Sequence, residues 1–299
     1  MKQIFLVLAL TFGAVVPAQA KLKIVTTTAD LKALVTEVVQ DKADVSSIAK
    51  GSQDPHYVEA KPSFMVVVRD ADLVVANGLS LEIGWLPSLI RGARNPKVAP
   101  GSSGYLDLGS MVETIEKPTG QISRAQGDVH PDGNPHFTLD PIRNADLAGK
   151  IAERVSQLDS ANKETYQKNA AAFKERMTRR VGGWKKRLEA SKVTKVVTYH
   201  PTLGYFMSRF GIEVPIFLED KPGIPPTAQH ILNVIETMKR DGIKIILVDN
   251  FFDTKIADRV AKDVPGARVV SVGVSVESAP KLKTLDDVTE YLVRAIEGQ

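Results

Sequence analysis

The chain has 299 residues, 39 Lys and Arg against 35 Asp and Glu, and 43% hydrophobic residues. That length fits about two domains of 100–200 residues, and the apolar share excludes a disordered or low-complexity chain. The absence of cysteine excludes a disulfide framework, a thiolate metal site, a cysteine nucleophile and a cysteine-linked lipid, while a net charge of +4 is too small for this size to point to nucleic acid.

The chain opens with Lys2 and the apolar run Ile4 to Val16, followed by Pro17-Ala18-Gln19-Ala20. A short positive start, an apolar stretch and a small-x-small end are the features of a cleaved secretory signal. The run is shorter than the roughly 20 residues that span a bilayer. Residues 1–20 are therefore expected to be a signal peptide cut after Ala20, leaving a soluble chain outside the cytoplasm, in the periplasm.

Strands and helices then alternate. Leu22–Thr28 is β-rich, and Asp30 is placed to cap a helix over 31–39 whose Leu31, Leu34, Val35 and Val38 share one face. A strand over 45–48 leads into a Gly-, Pro- and Asp-rich loop over 51–62. Ser63 is placed to cap the next short helix, followed by the apolar strand 72–76, a helix over 83–90 and a strand over 105–108. The segment 121–134 is polar and reads as an exposed loop. Residues 140–158 are helical. Over 161–190, Tyr166, Ala170, Phe173, Met177, Val181, Trp184 and Leu188 recur in steps of three and four, one continuous stripe at helical period. Such a helix runs about 45 Å at 1.5 Å per residue. Gly182-Gly183 is where it could bend.

After Ser191 the alternation restarts. Strands are expected over 195–199, 214–218, 244–248 and 267–272, and helices over 202–210, 228–240 (capped by Thr227), 254–263 and 285–296. The fold class is α/β: two lobes with mostly parallel sheets, 21–158 and 191–299, joined by one long rigid helix over 159–190.

The chemistry lies with five histidines. His56 stands in Asp54-Pro55-His56, His136 in Asn134-Pro135-His136 and His200 in Tyr199-His200-Pro201. Each follows a strand or lies in a loop, beside a proline that fixes φ, and strand ends are where open α/β sheets bind ligands. Three imidazoles from three loops make a nitrogen-rich site suited to Zn²⁺. A lone loop histidine is more often simply solvated. His130 reads as a surface residue or accessory ligand, and His230, near a helix start, as a surface or interlobe residue. Asp249, ending the strand 244–248, is the carboxylate best placed to join; its other reading is a capping or turn role.

These segments resemble the metal-binding solute-binding proteins of zinc and manganese ABC importers, the TroA-like, zinc-uptake class. The resemblance covers KIVTTTADL, GSQDPHYVEAKPS, DADLVVANG, GNPHFTLDP, the long helix, VVTYHPTLGYFMSRFG and LEDKPGIPPTAQH. It implies a cleft between the lobes in which His56, His136 and His200 hold the transported ion, a membrane permease as partner, and no enzymatic activity. A histidine at the third of these positions goes with zinc in this family, and a glutamate with manganese, so Zn²⁺ is expected before Mn²⁺. Many members add a late aspartate. The corresponding stretch here, 269–273, has none, and Asp249 is the expected fourth ligand, with Glu219, Glu277 or water as alternatives. A monomer is expected. A secreted zinc hydrolase using three histidines and an open water position, and an adhesion protein on the same fold, are the competing classes.

Overall fold

The computed structural model describes residues 20–119 and 127–298. The expected signal segment up to Gln19 and the start of the polar loop, 120–126, lie outside the described residues. Two parallel sheets organise the chain. β1 (Leu22–Thr26), β2 (Ala43–Ser47), β3 (Leu73–Ala76) and β4 (Tyr105–Asp107) pair in the order β2-β1-β3-β4, with Thr26 level with both Ser47 and Val75. β5 (Val197–Thr198), β6 (Ile245–Asp249) and β7 (Arg268–Val272) form the second sheet in that order. Around them lie α1 (Ala29–Val39), α2 (Pro62–Arg69), α3 (Leu86–Ala93), α4 (Pro141–Leu158), α5 (Lys163–Ser191), α6 (Gly204–Phe210), α7 (Ala228–Asp241), α8 (Lys255–Asp263) and α9 (Leu285–Glu297).

β3 and β6 are buried along their whole length, as strands covered on both faces must be. The period of two separates their cores. Ile24, Leu73 and Val75 of the first sheet, and Ile245 and Leu247 of the second, face one shared cluster. Val25, Val74 and Ala76 face a second cluster under α2 and α3, and Ile246 and Val248 a third under α7 and α8. The shared cluster also holds Tyr166, Ala170, Phe173, Met177, Trp184 and Leu188 of α5. The stripe read from the sequence thus joins the two lobes through one continuous core.

α5 is 29 residues of unbroken helix, and Gly182 and Gly183 sit in it where an added Cβ would meet nothing within 4 Å. Ion pairs tie it to its neighbours. Arg176 meets Glu37 of α1 at 2.6 Å, and Arg187 meets Glu290 and Glu297 of α9 at 2.8 and 2.5 Å. Burial alone would raise the Glu290 carboxyl, but hydrogen bonds from Arg187, Trp184 and Arg294 outweigh it and hold the pKa down at about 2.

Three local expectations are corrected. The cap of α1 is Thr28, whose Oγ1 accepts from Leu31 N; Asp30 lies in the first turn, and its carboxylate accepts from Val276 N at 2.7 Å, in the other lobe. α2 starts at Pro62, with Lys61 rather than Ser63 as cap residue, because a proline's missing N–H costs nothing at the first helical position. The expected strand 214–218 is reduced to isolated bridges, Lys195 with Glu213 and Thr198 with Phe217; Pro215 between them has no N–H to give a ladder.

Candidate metal centre

The site forms where loops after the strands of both sheets meet. The first sheet reverses its strand order between β1 and β3, the place where such sheets bind ligands. His56 and His136 follow the same local rule. Asp54 Oδ1 accepts from His56 N at 2.9 Å, and Asn134 Oδ1 accepts from His136 N at 2.8 Å. Each Asx-Pro-His triplet is closed by its own side chain, which fixes the histidine backbone. His200 stands two residues past β5, with Thr198 Oγ1 donating to its carbonyl at 3.0 Å.

The ring bonds decide which nitrogens are free. Nδ1–H of His56 donates to Asp54 Oδ1 at 2.7 Å, Nδ1–H of His200 to Glu219 Oε2 at 2.8 Å, and Nδ1–H of His130 to the Leu79 carbonyl at 2.9 Å. Each leaves Nε2 as a lone-pair donor, the tautomer that a metal ligand needs. Nε2 of His136 is buried with no hydrogen-bond partner among the described residues. The ligand atoms of His56, His136 and His200 lie within 4.8 Å of one another. The three rings stand edge to face, with centroids 5.3–5.6 Å apart.

His130 adds a fourth ring beside His56, outside that group of three. Its Nε2 is 3.1 Å from Nε2 of His56. Two neutral imidazoles presenting lone pairs to each other repel, whereas two nitrogens on one tetrahedral ion, at about 2.0–2.1 Å each, stand about 3.3 Å apart. His130 is held there by its loop: Asp128 N donates to the Pro222 carbonyl at 2.8 Å, and Tyr57 OH donates to Asp128 Oδ2 at 2.6 Å. His230 is elsewhere, donating from Nε2 to the Phe217 carbonyl at 3.0 Å.

The expected carboxylates take other places. Asp249 lies outside the convergent group and accepts from Thr202 Oγ1 at 2.5 Å; burial pushes its pKa up to about 7, against the lowering from that bond and from His200. Glu219 is the partner of His200 and also accepts from Gly223 N at 3.0 Å. Glu277 pairs with Lys32 at 3.1 Å. Burial pushes the His200 imidazole down, but the bond to Glu219 and the charges of Glu219, Asp249 and Asp54 raise it above the ordinary value. Burial and the neighbouring histidines hold His136 well below that value and bring His130 down to about 4, the latter against a raising bond from Leu79. Both therefore stay neutral at ordinary pH.

The segment 77–85 braces the loops of His56, His130 and His136 from behind. Asn77 Nδ2 donates to the Pro135 carbonyl at 2.9 Å, Leu79 carries the carbonyl under His130, and Trp85 Nε1 donates to the Pro55 carbonyl at 2.9 Å. Glu82 fixes the segment itself by accepting from Asn77 N and Gly78 N at 2.7 and 3.1 Å. Sequence reading passed over Asn77, Glu82, Trp85, Asp54 and Asn134. Only the repeated Asx-Pro-His pattern could have pointed to the last two.

With this geometry, the family model "ZnuA: Zinc-uptake complex component A periplasmic" matches residues 24–298. The chain belongs to the ZnuA family. The metal ABC transporter substrate-binding lipoprotein FimA of Streptococcus parasanguinis is 26% identical over 87% of this chain and 82% of its own length. The manganese ABC transporter substrate-binding lipoprotein PsaA of Streptococcus pneumoniae is 27% identical, over 81% of this chain and 76% of its own. The zinc-binding lipoprotein AdcA of Streptococcus pneumoniae is 26% identical over 82% of this chain, which spans 48% of AdcA. A crystal structure of ZnuA superposes with a TM-score of 0.79 at 22% identity, covering 93% of this chain and 99% of that one, and shares the fold. Members of the ZnuA family are non-enzymatic metal-binding substrate-binding proteins of ABC importers, so the partners are a metal ion and an importer permease with its ATPase. The hydrolase alternative is set aside. FimA, PsaA and AdcA are lipoproteins; this sequence contains no cysteine.

Proposed function

We propose that this ZnuA-family protein captures Zn²⁺ rather than Mn²⁺ in the periplasm, after removal of residues 1–20, and delivers it as a monomer to the permease. The lobes are 21–158 and 191–299, with 159–190 linking them. His56, His136 and His200 are the metal ligands, and His130 takes the fourth position in place of Asp249. The observation that carries this reading is the convergence of the imidazole nitrogens of His56, His136 and His200 from separate loops, with His130 Nε2 beside that of His56 and Nδ1 of His56, His130 and His200 spent on an oxygen partner. Neutral imidazoles suit zinc, while manganese favours oxygen donors.

The test is calorimetric titration of metal-stripped protein, starting at Lys21, with Zn²⁺ and with Mn²⁺. One tight zinc site, weak manganese binding, and loss of the zinc site in a triple His56→Ala, His136→Ala, His200→Ala protein are expected. Tighter manganese than zinc, or a zinc site unchanged in the triple variant, overturns the proposal. A His130→Ala protein that matches the parent in zinc affinity removes His130 from the ligand set.

A further inference from the structure

Two of the proposed ligands come from different lobes, and one buried side chain spans the gap between their loops. Asn134 is 5% exposed. Its Oδ1 accepts from His136 N at 2.8 Å, while its Nδ2 donates to the carbonyl of Pro201, the residue after His200, at 2.8 Å and to Glu116 Oε2 at 2.8 Å. Its main chain is held as firmly, with its carbonyl accepting from Tyr205 OH at 2.8 Å and its N–H donating to the Ile115 carbonyl at 3.0 Å. The amide orientation is fixed by its partners, because a flipped amide would turn N–H toward the N–H of His136 and oxygen toward two acceptors.

The other Asx-Pro-His triplet shows why an amide stands here. Among the described residues, Asp54 spends its carboxylate on His56 alone, on both the backbone N–H and Nδ1. The residue at 134 must instead accept on one side and donate on the other, which a carboxylate cannot do. We propose that Asn134 is a positioning residue that sets the spacing of His136 and His200 across the lobe boundary, so that the metal site is held ready before an ion arrives. This rests on the assignment of those two histidines as ligands. Partners that orient ligands change metal affinity by about 10–100-fold when removed.

The test compares the unsubstituted protein with Asn134→Asp, which keeps the acceptor for His136 N but replaces the donor facing Pro201 and Glu116 with an oxygen. Tyr205→Phe, which removes the bond to the Asn134 carbonyl and the longer one, 3.4 Å, that Ile115 N donates to the Tyr205 hydroxyl, is the second variant should the first not fold. Asn169→Ala, which removes an amide bond to the Val38 carbonyl far from the site, is the control for general loss of stability. Zinc affinity is measured by chelator competition, and the visible spectrum of the Co²⁺-loaded protein reports ligand geometry. A 10–100-fold loss of zinc affinity in Asn134→Asp is expected, with a smaller loss in Tyr205→Phe, altered Co²⁺ bands in both, and neither change in Asn169→Ala. Parent-like affinity and bands in Asn134→Asp, or equal losses in Asn169→Ala, overturn the positioning role. Failure of the unsubstituted protein to bind zinc overturns the ligand assignment itself, and the positioning role with it.

Discussion

Glu219 is the residue whose replacement tests the electrostatics of the centre most directly. Its carboxylate lies 2.8 Å from Nδ1 of His200, and both side chains are nearly buried. Glu219→Gln keeps the shape and one acceptor oxygen but removes the charge. A hydrogen bond to a charged group contributes about 1.5–3 kcal/mol, and loss of an orienting partner of a ligand lowers metal affinity about 10–100-fold, which is about 1.4–2.7 kcal/mol. The variant should therefore bind zinc more weakly by that factor near neutral pH. The pH dependence should change in the opposite sense. In the parent protein, Glu219 holds His200 above its ordinary pKa against the lowering effect of burial, so protons compete with the metal from above about pH 6.5 downward. Without the carboxylate, burial dominates and His200 falls. Proton competition then starts at lower pH, and the two affinity curves converge on acidification. Chelator competition between about pH 5 and 8 reads both effects, the range in which histidines titrate. Equal affinity near neutrality, or an unchanged pH at which affinity begins to fall, would refute the reasoning.

Gly223 has φ of +75°, and a Cβ there would stand 2.1 Å from Asp128 Oδ2. Gly223→Ala should displace the loop carrying His130 and weaken zinc binding several-fold while the fold survives, as circular dichroism beside a metal titration would show. In the metal-free protein His136 and His130 contribute stability that is lost on acidification below about pH 6.5, because their folded pKa values lie below those of the unfolded chain, while Asp249, raised to about 7, contributes in the opposite sense. For His130, at about 4 in the folded state, the loss is on the order of 2 kcal/mol after solvent screening. Urea midpoints across pH measure it as a difference: the stability of the parent relative to His130→Ala should fall by that amount on acidification. Glu290 has a depressed pKa, so its contribution is present above the unfolded carboxylate value and lost as pH falls toward about 2. Arg187→Met should lower the thermal midpoint by a few degrees, corresponding to about 1 kcal/mol. Unchanged metal affinity in that variant would separate the helix network from the site.

The stripe from Tyr166 to Leu188, the buried strands and the cap at Thr227 were legible because each is a pattern of near neighbours, governed by helix or strand period and by local capping bonds. The Asx-Pro-His triplets belong to the same class: their Oδ1 bonds span two residues, and the residue order alone forms them. His56 and His136 could be nominated on that basis, and His200 from its place at a strand end beside Pro201. Which nitrogens converge could not be read, because the contacts that decide it cross long stretches of chain. His56 meets His130 74 residues on, Asn134 reaches Pro201 67 residues on, and Asp249 is captured by Thr202 47 residues before it. A buried carboxylate at a strand end is written the same way whether it faces an ion or a hydroxyl. Only the packing of both sheets on one core, through α5, brings the loops to the distances that choose between them.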